Sequence, residues 1–275
     1  MAKVPTITFT NGVTTPQLGF GTFQTPPDTT ADAVMHALEV GYRSIDTAAI
    51  YGNEEGVGEA IARSGIDRED LFITTKLWNS EQGTDSALAA FDASLAKLGL
   101  DYVDLYLIHW PVASKDRYVE TWRALEKLAT EGRARSIGVS NFQVAHLQRL
   151  FNETETVPVL NQIELHSHLS QAPLREFHAR HDIVTQAWSP LARGGALLAD
   201  DTVVALAKQH GKTPAQIVLR WHIQLGNVVI PKSATPSRIA ENFEIFDFTL
   251  SARDMDAIAT LETGERTGPD PDVFG

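Results

Sequence analysis

GYRSIDTAAIYGNEEGVG, residues 41–58, combines a short strand, a loop and the start of a helix. An apolar residue between groups that fit a pleat predicts a strand at 43–45 that ends on Asp46. A helical pattern begins at residue 54, with two acids in its first turn, where the helix dipole favours them. A carboxylate thus ends a strand and Tyr51 follows it, which is where α/β proteins place catalytic groups. The alternative is that Asp46 only caps the helix and Tyr51 only packs against the sheet rim.

Strand-like and helical segments alternate along the rest of the chain. The predicted core strands cover residues 18–22, 43–45, 71–75, 103–108, 137–139, 159–163, 183–187 and 228–230. The predicted helices include residues 31–40, 87–98, 118–128, 203–209, 214–224 and 237–246. Eight strands separated by helices, in a chain of 275 residues, fit the roughly 250 residues of a (β/α)₈ barrel. We therefore predict an α/β fold, a (β/α)₈ TIM barrel forming a single domain over residues 1–275, with a doubly wound sheet as the alternative.

Both ends of the chain add to this barrel. Ile7 and Phe9 alternate with threonines before an Asn-Gly pair at 11–12, which predicts an N-terminal β-hairpin. Helical spacing at 251–261 predicts an extra C-terminal helix beyond the last crossover helix. From residue 264 the chain is polar and contains prolines, so a loose tail is expected.

Composition excludes several classes of function. The net charge of −12, with no long basic run, argues against nucleic acid or an anionic membrane as a partner. The chain has no cysteine, which rules out disulfides, thiol catalysis and cysteine metal sites. No apolar run approaches the roughly 20 residues needed to cross a bilayer, and residues 1–9 lack the apolar core of a signal peptide. A cytoplasmic, monomeric protein is expected.

Polar side chains follow nearly every predicted core strand. They are Asp46, Lys76, His109, Ser140, Asn141, Gln162, Trp188, Ser189, Lys232 and Ser233. In a closed parallel barrel all of them converge on one face. Each alone could be a solvated lysine, a core histidine or a helix cap, but a barrel built only for stability does not require the whole set.

Three of these polar groups, together with Tyr51, suit one reaction. A buried Lys76 needs a carboxylate partner, which Asp46 can supply. The Lys76 ammonium beside Tyr51 favours the phenolate and is expected to lower the pKa of the phenol, so that it gives up a proton near neutral pH. His109 can hydrogen-bond a substrate oxygen. The group can protonate an alkoxide that forms on a carbonyl, but no side chain carries a hydride, so a cofactor is required.

The last predicted strand indicates the kind of cofactor. Residues 231–242, PKSATPSRIAEN, place Lys232, Ser233, Thr235 and Arg238 at a strand end and a helix start, as in a phosphate site. An ordinary helix start with a surface arginine is the alternative. The Gly-x-Gly-x-x-Gly fingerprint of a Rossmann fold is absent, so a dinucleotide would have to bind across the mouth of the barrel.

Three long stretches in order resemble the signatures of the aldo-keto reductases. They are residues 41–58, RSIGVSNF at 135–142 and IPKSATPSRIAEN at 230–242. The resemblance spans nearly the whole chain, and within the family it is greatest to the prokaryotic 2,5-diketo-D-gluconate reductases. It implies NADPH-dependent reduction of aldehydes, ketones or dicarbonyls, such as keto-sugars or methylglyoxal-like compounds, to alcohols.

The resemblance also implies a role for individual residues. The catalytic residues would be Asp46, Tyr51, Lys76 and His109, with Tyr51 as the proton donor. The cofactor would be held by Gly21, Thr22, Asp46, Ser140, Asn141, Gln162, Trp188, Ser189, Leu191, Arg193, Ile230, Lys232, Ser233, Ala234, Arg238, Glu241 and Asn242. The substrate would be bound by Phe23, Tyr51, Trp78, His109 and Trp110. The loop at 192–195 departs from the usual family pattern.

Two rival functions remain open at this point. Glu164, His166 and His168 alternate along one strand face and could form a metal site, as in barrel hydrolases, although no metal is expected here. The other rival is a barrel of the same fold that binds NADPH without turnover.

Overall fold

Ten strands and eleven α-helices lie within residues 4–274, the part of the chain that the computed structural model describes. The strands are β1 (Thr6–Thr8), β2 (Thr14–Pro16), β3 (Phe20–Gly21), β4 (Ser44–Asp46), β5 (Phe72–Leu77), β6 (Leu105–Ile108), β7 (Ile137–Ser140), β8 (Leu160–Glu164), β9 (Val184–Trp188) and β10 (Val228–Val229). The helices are α1 (Pro27–Val40), α2 (Glu54–Ser64), α3 (Thr84–Leu98), α4 (Tyr118–Thr130), α5 (Val144–Glu153), α6 (Ala172–Arg180), α7 (Ala196–Ala199), α8 (Asp201–His210), α9 (Pro214–Gln224), α10 (Pro236–Phe243) and α11 (Ala252–Ala259).

Strands β3 to β10 form one parallel sheet in chain order. The sheet closes because Leu18, just before β3, forms a parallel bridge with Val229 of β10. Two hydrogen bonds secure this seam, from Gly19 N to Val229 O at 2.8 Å and from Val229 N to Gln17 O at 3.0 Å. The predicted (β/α)₈ barrel is confirmed, and the doubly wound sheet is excluded because such a sheet has two free edges.

The N-terminal hairpin covers the end of the barrel opposite the strands' carboxyl ends. Strand β1 pairs antiparallel with β2, and a loop of residues 9–13 joins them, with Gly12 at φ 85°. That positive φ is why the Asn-Gly pair forms a turn here. Phe9 is buried and packs edge-on against Phe72 of β5, with ring centroids 6.1 Å apart. The hairpin therefore adds a buried apolar side chain at the end of the barrel where the strands begin.

In the described part of the chain, eleven helices and eight barrel strands leave three helices beyond the one-helix-per-strand repeat, two of them among α7, α8 and α9, which all lie between β9 and β10. Helix α8 lies between the short α7 and α9, and α11 follows the last crossover helix α10. Their starts follow from local sequence: Asp200 accepts a hydrogen bond from Thr202 N, and Ser251 forms a capping box with Asp254. The predicted extra C-terminal helix is confirmed, although it ends two residues earlier than expected. Within residues 4–274, no helix is both long enough and apolar enough to span a membrane.

The carboxyl ends of the barrel strands carry the polar residues that the sequence singled out. Asp46 is the last residue of β4, and Ser140 is the last residue of β7. Lys76 is the fifth residue of β5, and His109 directly follows β6. Because all eight strands run parallel, these side chains meet at one end of the barrel.

Candidate active site

A cavity of about 980 Å³ opens at the carboxyl end of the barrel. Nearly all of the predicted site residues line it. Three do not, namely Thr22, Lys76 and Ala234. Thr22 is fully buried and its hydroxyl donates to the carbonyl of Asp46 at 3.1 Å, whereas Ala234 is exposed. Lys76 does not line the cavity itself, but residues to which it hydrogen-bonds do.

Lys76 joins the two predicted proton-handling groups. Its Nζ is fully buried and donates to Asp46 Oδ1 at 2.5 Å and to the carbonyl of Thr47 at 2.8 Å. The same nitrogen lies 3.4 Å from Tyr51 Oη. Tyr51 reaches this position because residues 49–51 form a 3₁₀ turn that is separated from β4 by only two residues. The carboxylate, ammonium and phenol therefore form one continuous chain.

The pKa of Tyr51 differs in direction from the sequence-based expectation. Desolvation by burial raises the pKa of its hydroxyl, and the nearby Lys76 ammonium opposes this rise without overcoming it. The expectation of a net lowered pKa was therefore wrong, because it considered the charge of Lys76 and not the loss of water. At neutral pH Tyr51 is protonated and can serve as a donor. Lys76 stabilises the phenolate that remains once the proton has left.

Lys76 itself stays charged. Burial lowers the pKa of its ammonium, but the negative charge of Asp46 and the hydrogen bonds to Asp46 and Tyr51 outweigh this effect, and the pKa is raised. Burial raises the pKa of the Asp46 carboxyl, against hydrogen bonds from Lys76 and Gln162. A buried ion pair of this kind is maintained by the hydrogen bonds around it.

His109 is neutral in this site. Burial and the neighbouring Lys76 charge hold the pKa of its imidazole well below the usual range. Its ring packs edge-on against Tyr51 and Trp78, with centroid separations of 5.7 Å and 5.2 Å. Its Nδ1 is buried and has no hydrogen-bond partner among residues 4–274. A neutral imidazole beside the phenol can donate one hydrogen bond to a substrate oxygen.

Amide side chains from the neighbouring strands are locked into the same network. Gln162 Nε2 donates to Asp46 Oδ2 and to Gln186 Oε1, both at 2.7 Å. Asn141, at φ 64°, accepts a hydrogen bond at 2.8 Å from Trp188 Nε1. Gln186 was missed from the sequence, because it looks like an ordinary residue of a buried strand. The amide groups are thus held in one orientation before any ligand arrives.

The far end of the cavity is basic and rich in backbone turns. Lys232 and Arg238 line it, together with the Ser233 hydroxyl, near the start of α10. Arg193 lies on the facing loop with a φ of 59°. Two more residues of that loop, Ser189 and Ala192, also have positive φ, a strained conformation that proteins retain mainly at functional sites.

The residues present fit an extended dinucleotide. One end of the cavity offers amide and hydroxyl groups beside the flat ring of Trp188, and the other end offers cations suited to phosphates. Gly21, which also lines the cavity, lacks a side chain at a point where a Cβ would come within 2.8 Å of Ile230 O. These donors and cations are compatible with the amide and phosphate groups of a dinucleotide.

The alternative metal site does not assemble. Among residues 4–274, no three His, Asp or Glu side chains are grouped so that they could hold a metal ion. Glu164 and His166 do meet, with Nε2 of the histidine 3.1 Å from Oε1 of the glutamate. The carboxylate oxygens of Glu164 are taken up by hydrogen bonds from the C-terminal tail.

The C-terminal tail, which the sequence predicted to be loose, makes hydrogen bonds to the barrel. Thr267 N and Oγ1 donate to Glu164 at 2.5 Å and 2.6 Å, and Gly268 N donates to it at 3.2 Å. Pro269 and Phe274 line the cavity, and were also missed as site residues. The physical reason for the correction is a buried carboxylate that requires donors, which polar tail residues supply.

Comparison with known proteins places this fold and site in one class, the carbonyl-reducing oxidoreductases built on a barrel. The sequence profile of the Aldo/keto reductase family matches residues 15–263. The methylglyoxal reductase DkgA of Escherichia coli strain K12 is 54% identical over 276 residues, which cover 100% of each chain.

Solved structures agree. The crystal structure of an aldo/keto reductase from Brucella melitensis matches with a TM-score of 0.93 and 60% identity, over 95% of this chain and 99% of that one. A variant of Gox0644 in complex with NADPH matches with a TM-score of 0.96 and 48% identity, over 100% of both chains.

The chain belongs to the aldo/keto reductase family. It is an enzyme that reduces carbonyl compounds with NADPH, as the resemblance of its three signature stretches implied.

Proposed function

We propose that the protein reduces small aldehydes, ketones and dicarbonyls, of the methylglyoxal or keto-sugar kind, to alcohols, with Tyr51 as the proton donor. The single observation that carries this proposal is the 3.4 Å approach of Tyr51 Oη to the buried Lys76 Nζ at the cavity wall. The 54% identity to a protein named methylglyoxal reductase supports the dicarbonyl class. The aromatic side chains of Trp78, Trp110 and Phe274 line the cavity and offer apolar surface to a substrate.

The proposed proton transfer uses only groups of this chain. The substrate carbonyl oxygen lies between Tyr51 Oη and the His109 imidazole, which orients it. NADPH, when bound, supplies the hydride that the side chains cannot provide. As negative charge develops on the oxygen, Tyr51 Oη gives up its proton, and Lys76 stabilises the phenolate formed. Asp46 keeps Lys76 charged and aimed at the phenol.

The proposed cofactor contacts follow the order of groups along the cavity. Ser140, Asn141 and Gln162 would hold the carboxamide, and the ring of Trp188 would stack on the nicotinamide. Ser189, Leu191 and Arg193 would line the pyrophosphate. The 2′-phosphate and adenine end would meet Gly21, Ile230, Lys232, Ser233, Arg238, Glu241 and Asn242. Thr22 and Ala234 would act through the backbone only, since their side chains lie off the cavity wall.

Residues 1–275 are proposed to form one domain, since strands from β3 to β10 share one closed sheet and most of the buried apolar residues belong to one cluster. A monomeric, cytoplasmic state and the absence of nucleic-acid binding stay predictions from the sequence.

The reaction itself is testable with the purified protein. We expect NADPH absorbance to fall when methylglyoxal is added, and a panel of aldehydes, ketones and keto-sugars to define the preferred class. The control omits the carbonyl compound. Stable NADPH with every member of the panel, despite measurable cofactor binding, would favour the non-catalytic barrel instead.

Replacing Arg238 by alanine is expected to weaken NADPH much more than NADH. An arginine–phosphate contact forms only when the 2′-phosphate is present, and its loss costs about 2 kcal/mol, or roughly 30-fold in affinity. Cofactor fluorescence titrations of both nucleotides measure the effect. Arg253→Ala, at an exposed position on α11, is the control and should change neither affinity. Equal weakening of NADPH and NADH in Arg238→Ala would remove the residue from the 2′-phosphate site.

A further inference from the structure

Glu164 is a buried carboxylate outside the catalytic chain. It ends β8 and is 1% exposed. Its oxygens accept hydrogen bonds from Thr267 N, Thr267 Oγ1 and Gly268 N, and His166 Nε2 lies 3.1 Å from Oε1. Three of these four contacts come from two adjacent residues of the C-terminal tail, which lie more than 100 positions away in the chain. Nothing in the proposed reaction uses this group.

Few hydrogen bonds join the described part of the tail to the barrel. Within the described tail residues 265–274, the hydrogen bonds that reach the rest of the protein all end on Glu164. The remaining bonds of this segment are local turns, such as Phe274 N to Asp270 O at 3.0 Å. Upstream, the backbone nitrogens of Thr263 and Gly264 donate to the His168 carbonyl. Release of Glu164 would therefore free the last ten described residues from their hydrogen bonds to the barrel.

Those residues form part of the active-site wall. Phe274 packs on Trp110 with ring centroids 4.5 Å apart, and Pro269 lines the same cavity. Gly268 lies against Trp188 so closely that a Cβ there would come within 2.4 Å of the indole Cη2. The tail thus touches the substrate side of the site through Phe274 and the cofactor side through Gly268.

We propose that Glu164 is a positioning residue that holds the C-terminal tail as one wall of the substrate pocket and so sets the affinity for bulky carbonyl substrates. This inference rests on the proposed function, because it concerns the pocket of the same reaction. It also accounts for Glu164 and His166, whose alternation in the sequence had suggested a metal site.

The carboxylate is well suited to this task. Burial pushes the pKa of Glu164 up, but hydrogen bonds from His166, Thr267 and Gly268 outweigh burial, and the pKa is lowered. An ionised oxygen accepts hydrogen bonds that are shorter and stronger than those of a neutral amide. Since each of the three tail donors is a neutral N–H or O–H group, the negative charge of Glu164 provides the attraction.

The test variant is Glu164→Gln, which keeps the shape and removes the charge. Hydrogen exchange of the peptide that covers residues 263–274 should become about tenfold faster. With NADPH saturating, the KM for phenylglyoxal, an aromatic dicarbonyl, should rise about tenfold. The kcat for methylglyoxal should stay within about twofold, because that small substrate does not need the tail wall.

Three further variants serve as a graded test, a control and a substitute. Thr267→Val removes one of the three tail donors and should give a smaller change in the same direction. Glu176→Gln, an exposed glutamate on α6, is the matched control and should match the unmodified enzyme. If Glu164→Gln does not fold, Gly268→Ala carries the test, because its Cβ would come within 2.4 Å of Trp188 and 3.3 Å of Glu164 Oε2 and so displace the tail from both while keeping the carboxylate.

Unchanged exchange of the tail, or an unchanged ratio of the two substrates' KM values, in folded Glu164→Gln would overturn the proposal. Hydrogen exchange does not depend on turnover. If the unmodified protein oxidised no NADPH with any carbonyl compound, the proposed function would fail, whereas the exchange rates would still decide whether Glu164 holds the tail.

Discussion

Replacing Tyr51 by phenylalanine is expected to lower kcat for carbonyl reduction by about 10²–10⁴-fold, the usual contribution of a positioned general acid. NADPH affinity should stay nearly unchanged, because the hydroxyl faces Lys76 and the substrate side of the cavity. Stopped-flow or steady-state NADPH oxidation with methylglyoxal measures the first effect, and fluorescence titration measures the second.

Tyr106 offers a matched control for Tyr51. Its hydroxyl is buried and has no hydrogen-bond partner among residues 4–274, and it does not line the cavity. Tyr106→Phe therefore removes the same atom from the same residue type and should leave kcat as it was. Equal rates for Tyr51→Phe and the unmodified enzyme would assign the proton to another donor.

The pH profile gives a second view of the same donor. Burial raises the pKa of Tyr51, so the proton is present throughout the neutral range and is lost only as the pH rises through that raised value. The pKa of His109 is held well below its usual range, so the imidazole is already neutral there. We therefore expect the rate of reduction to be flat through neutrality and to fall only in alkaline solution. In Tyr51→Phe, the residual rate should lose this alkaline fall.

The barrel could be predicted from the sequence because its strands are short apolar runs that lie between helices with clear hydrophobic periodicity. Residues 103–108, for example, contain β6, which is buried on both faces as a parallel barrel strand must be. The convergence of Asp46, Lys76 and His109 also followed from topology alone, since parallel strands end on one face. Strand limits were less accurate, because hydrogen-bond register is not a local property.

What the sequence did not reveal depends on distant partners or on water. Glu164 and Thr267 lie 103 residues apart, and nothing local signals that they bond. The importance of Gln186 depends on a hydrogen bond that its Oε1 accepts from Gln162, which also donates to Asp46. The direction of the pKa shift of Tyr51 required knowledge of how completely water is removed, which a sequence does not give.

Lys76→Met is expected to abolish carbonyl reduction and also to destabilise the fold. The methionine matches the length of the lysine but leaves the buried Asp46 carboxylate without its cation, which costs about 3–5 kcal/mol. Urea unfolding followed by tryptophan fluorescence measures the stability, and NADPH oxidation measures the activity. Both effects arise from one atom, the Nζ that donates to Asp46 and approaches Tyr51.

A double variant separates these two effects. In Lys76→Met combined with Asp46→Asn, the buried negative charge is also removed, so most of the lost stability should return, because neutral side chains can replace a buried ion pair at little cost. Activity should not return, since no ammonium remains to stabilise the Tyr51 phenolate. Recovery of both stability and turnover would mean that Lys76 serves the fold alone. Recovery of stability alone shows that unfolding is not the cause of the lost turnover, because the restored barrel then contains Tyr51 and His109 but lacks the charged pair that supports the phenol.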